Sequence, residues 1–113
     1  MHSYHSLERT FARLGAIHDA IGILQWDTET MMPDGAVSGR SEQLATLKGI
    51  AHDLLTAREV GDFLDEAEQD TDSLTEWQHA NVREMRRIYL HASAVPVDLI
   101  QASSRAVSRA EMA

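Results

Sequence analysis

The residues whose types and spacing could do chemistry gather at two places in this sequence. The first is QWDTETMMP, Gln25 to Pro33, where Asp27 and Glu29 flank Thr28. Two carboxylates so placed could divide the roles of acid and base. The second is Glu76-Trp-Gln-His79, a Glu-x-x-His unit that offers a carboxylate and an imidazole on one helix face. A di-iron bundle uses that spacing, but it takes two such units and two further glutamates, and only one unit is found here.

Both places have a simpler reading. Asp and Thr near a helix end satisfy free backbone groups, and Asp27 and Glu29 could pair with Arg40 or Arg83. Met31 and Met32 beside Trp26 could line a pocket, yet methionine also serves as adaptable packing at a joint. On that reading Gln25 to Pro33 is a structural corner, and Trp26 is expected to be largely buried. His2 and His5 lie near the terminus, while His18, His52, His79 and His91 are spread over three expected helices.

Other chemistry is excluded by what the sequence lacks. It contains no cysteine, so thiol catalysis, disulfide frameworks and cysteine zinc sites are ruled out. It contains no His-Glu-x-x-His, the spacing that sets two imidazoles one helical turn apart on a zinc ion. No glycine-rich phosphate loop is present, and no serine sits in a nucleophile elbow. No catalytic, cofactor-binding or metal-ligating residue is therefore expected within residues 1–113.

The elements that must hold these residues are all helical. Two prolines and six glycines in 113 residues leave long uninterrupted stretches, and no stretch alternates apolar with polar as a strand would. The first helix is expected from about Ser6 to Asp27, with Leu7, Phe11, Leu14, Ile17, Ile21 and Leu24 as its buried stripe. Gly15 and Gly22 interrupt it, which suggests close approach of another backbone. Pro33, Asp34 and Gly35 supply the turn.

The second helix is expected to begin between Asp34 and Ser38 and end near Leu55. Its stripe is Val37, Arg40, Leu44, Leu47, Ala51 and Leu54, with Ile50 beside it. Thr56 to Glu59 reads as a capping box opening a third helix that carries Val60, Phe63, Leu64 and Ala67. The acidic run DEAEQDTD follows as a solvated connection. Ser73 to Glu76 reads as a second capping box, opening a fourth helix with Leu74, Trp77, Met85, Ile88 and Ala92 on its apolar side. Val95-Pro96 ends that helix, and proline suits the first turn of a fifth, lined by Leu99, Ile100, Ser103, Val107 and Ala110. The last ten residues, SRAVSRAEMA, keep helical register with no cap, as in the front part of a longer chain. The expected fold class is all-α: about five helices packed as hairpins in a single segment.

Composition limits the partners. Apolar residues make up 43% and charged residues 25%, an ordinary globular balance. A net charge of −8 argues against nucleic acid or an anionic membrane, both of which select basic faces. The first residues do not form a secretory signal, and a cytoplasmic protein is expected.

The wording of the sequence adds more than its periodicity. ILQWDTETMMP, Ile23 to Pro33, then RSEQLATLKGIAHDLLT, Arg40 to Thr56, and NVREMRRIYLHASAVPVDLIQASSRAVSRAE, Asn81 to Glu111, resemble the N-terminal region of the carboxypeptidase Taq family. The resemblance implies a mostly helical, cytoplasmic and often dimeric zinc metallocarboxypeptidase, which removes residues from peptide C termini. Its zinc would be held by the two histidines of a His-Glu-x-x-His helix and a later glutamate. Those positions lie downstream of the matched region, and no residue here corresponds to them. The chain is thus expected to need no cofactor of its own and to be inactive alone. Its partner would be the missing catalytic part, or a second copy docked through the first and last helices. A free-standing helical protein-interaction module is the alternative.

Overall fold

A computed structural model describes the backbone of residues 2–30 and 37–112, and the side chains of residues 2–29 and 39–108. All its regular elements are helices: α1 (His2–Thr30), α2 (Val37–Leu55), α3 (Arg58–Gln69), α4 (Glu76–Ser93) and α5 (Val97–Met112). The all-α expectation is met. The first helix is longer than expected at both ends, because Ser3, Tyr4 and Ser6 are buried and continue its stripe toward the terminus.

The helices form three antiparallel rods, two of them broken. Arg40 of α2 reaches Asp27 near the end of α1, and Ala51 and Leu55 pack with Leu14 in its middle. Farther along, Val60 and Leu64 of α3 pack with Leu7 and Tyr4, and Glu66 accepts from the Ser3 hydroxyl. So α2 and α3 run in sequence down one long partner. Lengths agree: at 1.5 Å per residue, the 29 residues of α1 span about 43 Å and α2 plus α3 about 46 Å.

The third rod is α4 followed by α5. Arg86 of α4 pairs with Asp65 and Glu68 of α3, and Arg105 of α5 pairs with Glu42 of α2. The whole is 56 × 25 × 16 Å. Its radius of gyration, 16.9 Å, exceeds the roughly 13 Å of a compact domain of this size.

Two clusters form the core. One holds Tyr4, Leu7, Val60, Leu64, Ala67, Leu74 and Val82; the other holds Leu14, Ala51 and Leu55. Phe11 packs against both. The stripes expected on α1 and α3 are the buried ones. On α4, Val82 is buried and Trp77 is 75% exposed, reversing the expected order. Trp77 lies in the first turn of the helix, two residues after the N-cap Thr75.

On α5 the expected stripe also fails. Leu99 and Val107 face out, and Ser104 and Ser108 are buried. The reason is close approach. Gln101 lies against Gly49, and Ala45 is fully buried on the same helix. Small residues let two helix axes come near. Gly15 and Gly22, in contrast, have open space where a Cβ would stand, so no neighbouring backbone explains them.

The helix ends correct two further expectations. The N-cap of α3 is Ala57, with no side-chain cap; Thr56 donates its hydroxyl back to the His52 carbonyl, 2.8 Å. Thr56 and Glu59 thus form no capping box, because Thr56 completes the last turn of α2 instead. The box on α4 is Thr75 with Gln78, both bonds present, two residues later than a box from Ser73. Ser73 turns to Asp70, donating both its hydroxyl and its N–H (the latter at 3.2 Å) to that carboxylate.

Those two bonds from Ser73, the hydroxyl first, hold the Asp70 carboxyl at about 2, below its ordinary 3.8. A carboxyl depressed in the folded state contributes stability that is complete above its unfolded value and lost as pH falls through the folded one. Asp70→Asn should therefore lower the melting temperature at pH 6 and make progressively less difference as pH falls from about 4 to 2. Thermal melts of both proteins across that range check it. Gly15→Ala and Gly22→Ala should each raise stability by about 0.5–1 kcal/mol, read from urea unfolding midpoints.

Candidate functional site

The corner of α1 and α2 is built around Arg40. Its Nη1 donates to Asp27 Oδ2 at 2.8 Å and to the Leu24 carbonyl at 3.1 Å, while its Nε donates to Gln43 Oε1 at 2.9 Å. Thr28 donates its hydroxyl to the same Leu24 carbonyl, 2.8 Å. Both donors reach a carbonyl that lies more than one turn inside the end of α1. The Arg40 guanidinium thus ties the end of α1 to the start of α2. Of the two arginines that could have paired with Asp27, it is Arg40; Arg83 sits on an exposed face of α4.

This arrangement does not bring two carboxylates together. Asp27 is committed to Arg40, and Glu29 is exposed. Trp26 is 61% exposed, which overturns its expected burial: with Ile23, it lies on the outward side of α1, off the Leu14–Ile21 stripe. Met31, Met32, Pro33, Asp34 and Gly35 lie outside the described residues.

The Glu76/His79 pair stands apart at the start of α4. Glu76 is exposed in the first helical turn, where a carboxylate favours the positive end of the helix dipole. Among the described residues no three His, Cys, Asp or Glu side chains are placed to hold a metal ion.

A second place emerges only in three dimensions. A cleft of about 310 Å³ is lined by His18 of α1, Lys48 and His52 of α2, and His91 of α4, over a floor that includes Leu55, Ala92 and Ile100. It lies where both broken rods break. His52 Nε2–H donates to the Ala92 carbonyl at 2.9 Å, one of the terminal carbonyls of α4. A carbonyl can only accept, so the proton is on Nε2. His52 Nδ1 is buried and has no hydrogen-bond partner among the described residues, with Asp53 Oδ1 3.9 Å away. Sequence reasoning saw these three histidines as scattered. Their spacing along the chain carries no common period, because they meet only through packing of α1, α2 and α4.

The remaining charges are structural. Arg86 grips Glu68 with two bonds, 2.9 and 2.7 Å, and Asp65 with a third of 2.6 Å. Its guanidinium lies 5.8 Å from the centre of the Tyr89 ring, and the Glu68 bonds above all raise its proton affinity. This knot joins α3 to α4 by planar bidentate recognition.

Comparison with known proteins accounts for the sequence as a whole. A model of the family described as carboxypeptidase Taq (M32) metallopeptidase matches residues 6–113. The chain is similar to thermostable carboxypeptidase 1 of Thermus thermophilus, 35% identical over 106 residues, covering 87% of this chain and 21% of that protein. It is also similar to thermostable carboxypeptidase 1 of Pyrococcus furiosus, 30% identical over 103 residues, covering 91% of this chain and 20% of that protein. The chain thus spans about a fifth of the length of these curated relatives. No solved structure matches.

Arg40→Met should cost about 1–2 kcal/mol, since it leaves the Asp27 carboxylate without its donor and removes one of two side-chain donors at the Leu24 carbonyl. Asp27→Asn should cost less than about 1 kcal/mol, because the pair is partly in water. Trp26→Ala should stay below about 1 kcal/mol, as for most surface changes, far from the loss of a buried aromatic. Urea unfolding of the three variants gives the order directly.

Proposed function

Because the chain belongs to the carboxypeptidase Taq (M32) metallopeptidase family, we propose that it is the N-terminal helical segment of a metallocarboxypeptidase that releases amino acids from peptide C termini. The observation that carries this reading is the family match over residues 6–113. In this reading the segment is a scaffold. Its rods form part of the body around a substrate cleft, and the chemistry is done by residues outside residues 1–113. The whole enzyme would hold zinc and work in the cytoplasm.

The residues present do not fit a zinc site. Catalytic zinc takes three protein ligands and an open position, and among the described residues no such set converges. The Glu76/His79 pair offers two donors from one helix at most. No step through the metal is assigned to this chain, and the chain by itself is inactive.

Exposed apolar side chains support a segment made to be covered. Ile23 and Trp26 on α1, Trp77 and Leu90 on α4, and Leu99 and Val107 on α5 all face water. In the scaffold reading the rest of the enzyme covers them; in isolation the chain relieves the exposure by pairing with a second copy. A free-standing interaction module would use the same side chains to bind another protein.

Incubation with zinc or cobalt and a panel of blocked dipeptides should give no release of C-terminal residues, and elemental analysis should find less than one metal per chain. Chelator-sensitive release would overturn the inactivity. The scaffold reading further requires a His-Glu-x-x-His downstream of Ala113 in the same genomic reading frame. A stop codon directly after Ala113 would favour the interaction module instead.

A further inference from the structure

We propose that the cleft at the two rod breaks binds a small monocarboxylate with an apolar body. Its volume, about 310 Å³, is at the lower end of the range for small-ligand sites, about 300–1,000 Å³. Its floor is made of Ala51, Leu55, Ala92, Val95 and Ile100, which suits a short hydrocarbon or a leucine-sized side chain. Such sites combine apolar walls with a few placed polar groups, and the polar groups here are all nitrogen-bearing.

Charge selects the anion. The protein carries −8 overall, yet no Asp or Glu lines this cleft, and Lys48, His18, His52 and His91 do. Arg40, Arg86, Arg87 and Arg105 each have a carboxylate partner. Lys48 has none among the described residues, although it is only partly exposed. An ammonium over an apolar floor attracts a carboxylate more strongly than one in open water, since the local dielectric is lower. A cation would meet the Lys48 ammonium with no Asp or Glu in the lining to hold it.

The wall is also preformed. His52 has a side chain 10% exposed, and its orientation is locked by the bond to the Ala92 carbonyl. Its Nδ1, an acceptor in this tautomer, has no hydrogen-bond partner among the described residues.

The carboxylate could come from a free acid or from the C terminus of a short peptide. Hexanoate represents the first and N-acetylleucine the second, with hexanol and hexylamine as uncharged and cationic controls. Calorimetry and proton–carbon spectra of the histidine rings should show saturable binding of at least one carboxylate, with shifts at His18, His52 and His91. Hexanol and hexylamine should bind at least tenfold more weakly. The acid that binds tighter identifies the source. Lys48→Met should weaken binding at least tenfold with an unchanged circular-dichroism spectrum, and Lys48→Arg should retain it. Absence of ring shifts with both acids would overturn the proposal. So would hexanol binding as tightly as hexanoate, a comparison that needs no variant and stands even if Lys48→Met fails to fold.

Discussion

The buried stripe of α1, from Tyr4 through Leu7 and Leu14 to Ile21, is the surface on which the other elements depend. Helices this long gain most of their stability from packing of one face rather than from propensity. Here the face is too long for one partner of ordinary length, and α2 and α3 share it. Phe11 sits where their two clusters meet, so the cores communicate through one aromatic ring. The third rod is then added from the far side. It is held by Val82 at the α3 end and by the close approach of Gln101 to Gly49 at the α2 end.

The breaks in the second and third rods have different causes and a common location. Thr56 bonds back to His52 and leaves Ala57 extended, with ψ of 144°. In the third rod, Pro96 lacks an N–H and disfavours helical geometry at Val95. Because the rods are antiparallel, the two breaks lie side by side, and His52 bridges them through the Ala92 carbonyl. The Ala92 carbonyl accepts from the Val95 N–H at 3.1 Å and offers a second lone pair to His52. The same break opens the cleft, since neither rod fills the space with continuous side chains.

The elongated, three-rod shape fits a family whose members are much longer than this chain. A slab 16 Å across its thinnest dimension cannot bury every apolar residue of five amphipathic helices. Trp26, Trp77, Leu99 and Val107 are the residue of that geometry. The ionic ties are placed where helices cross rather than at a reaction centre: Arg40 to Asp27, Arg86 to Glu68 and Asp65, Arg105 to Glu42. Each is partly solvated, and each sets register between neighbours more than it adds stability.

How much could be read beforehand varies with the range of the forces involved. Helical class, the number of helices and the inner faces of α1 and α3 follow from residue spacing alone, because an apolar side chain every three or four positions can be buried in one way only. The Asp27–Arg40 tie was among the pairings open to Asp27, since the two flank one turn. The wording of residues 23–33, 40–56 and 81–111 was enough to indicate the family. Packing decided the rest. Whether Trp26 or Trp77 is covered depends on what lies opposite, which periodicity does not state. The buried serines of α5 run against their polarity, because at the closest approach of two helices size outweighs hydrophobicity. His18, His52 and His91 share a cleft only because three helices bring them there, and residues joined by no local repeat leave no mark in the sequence that a reader could find.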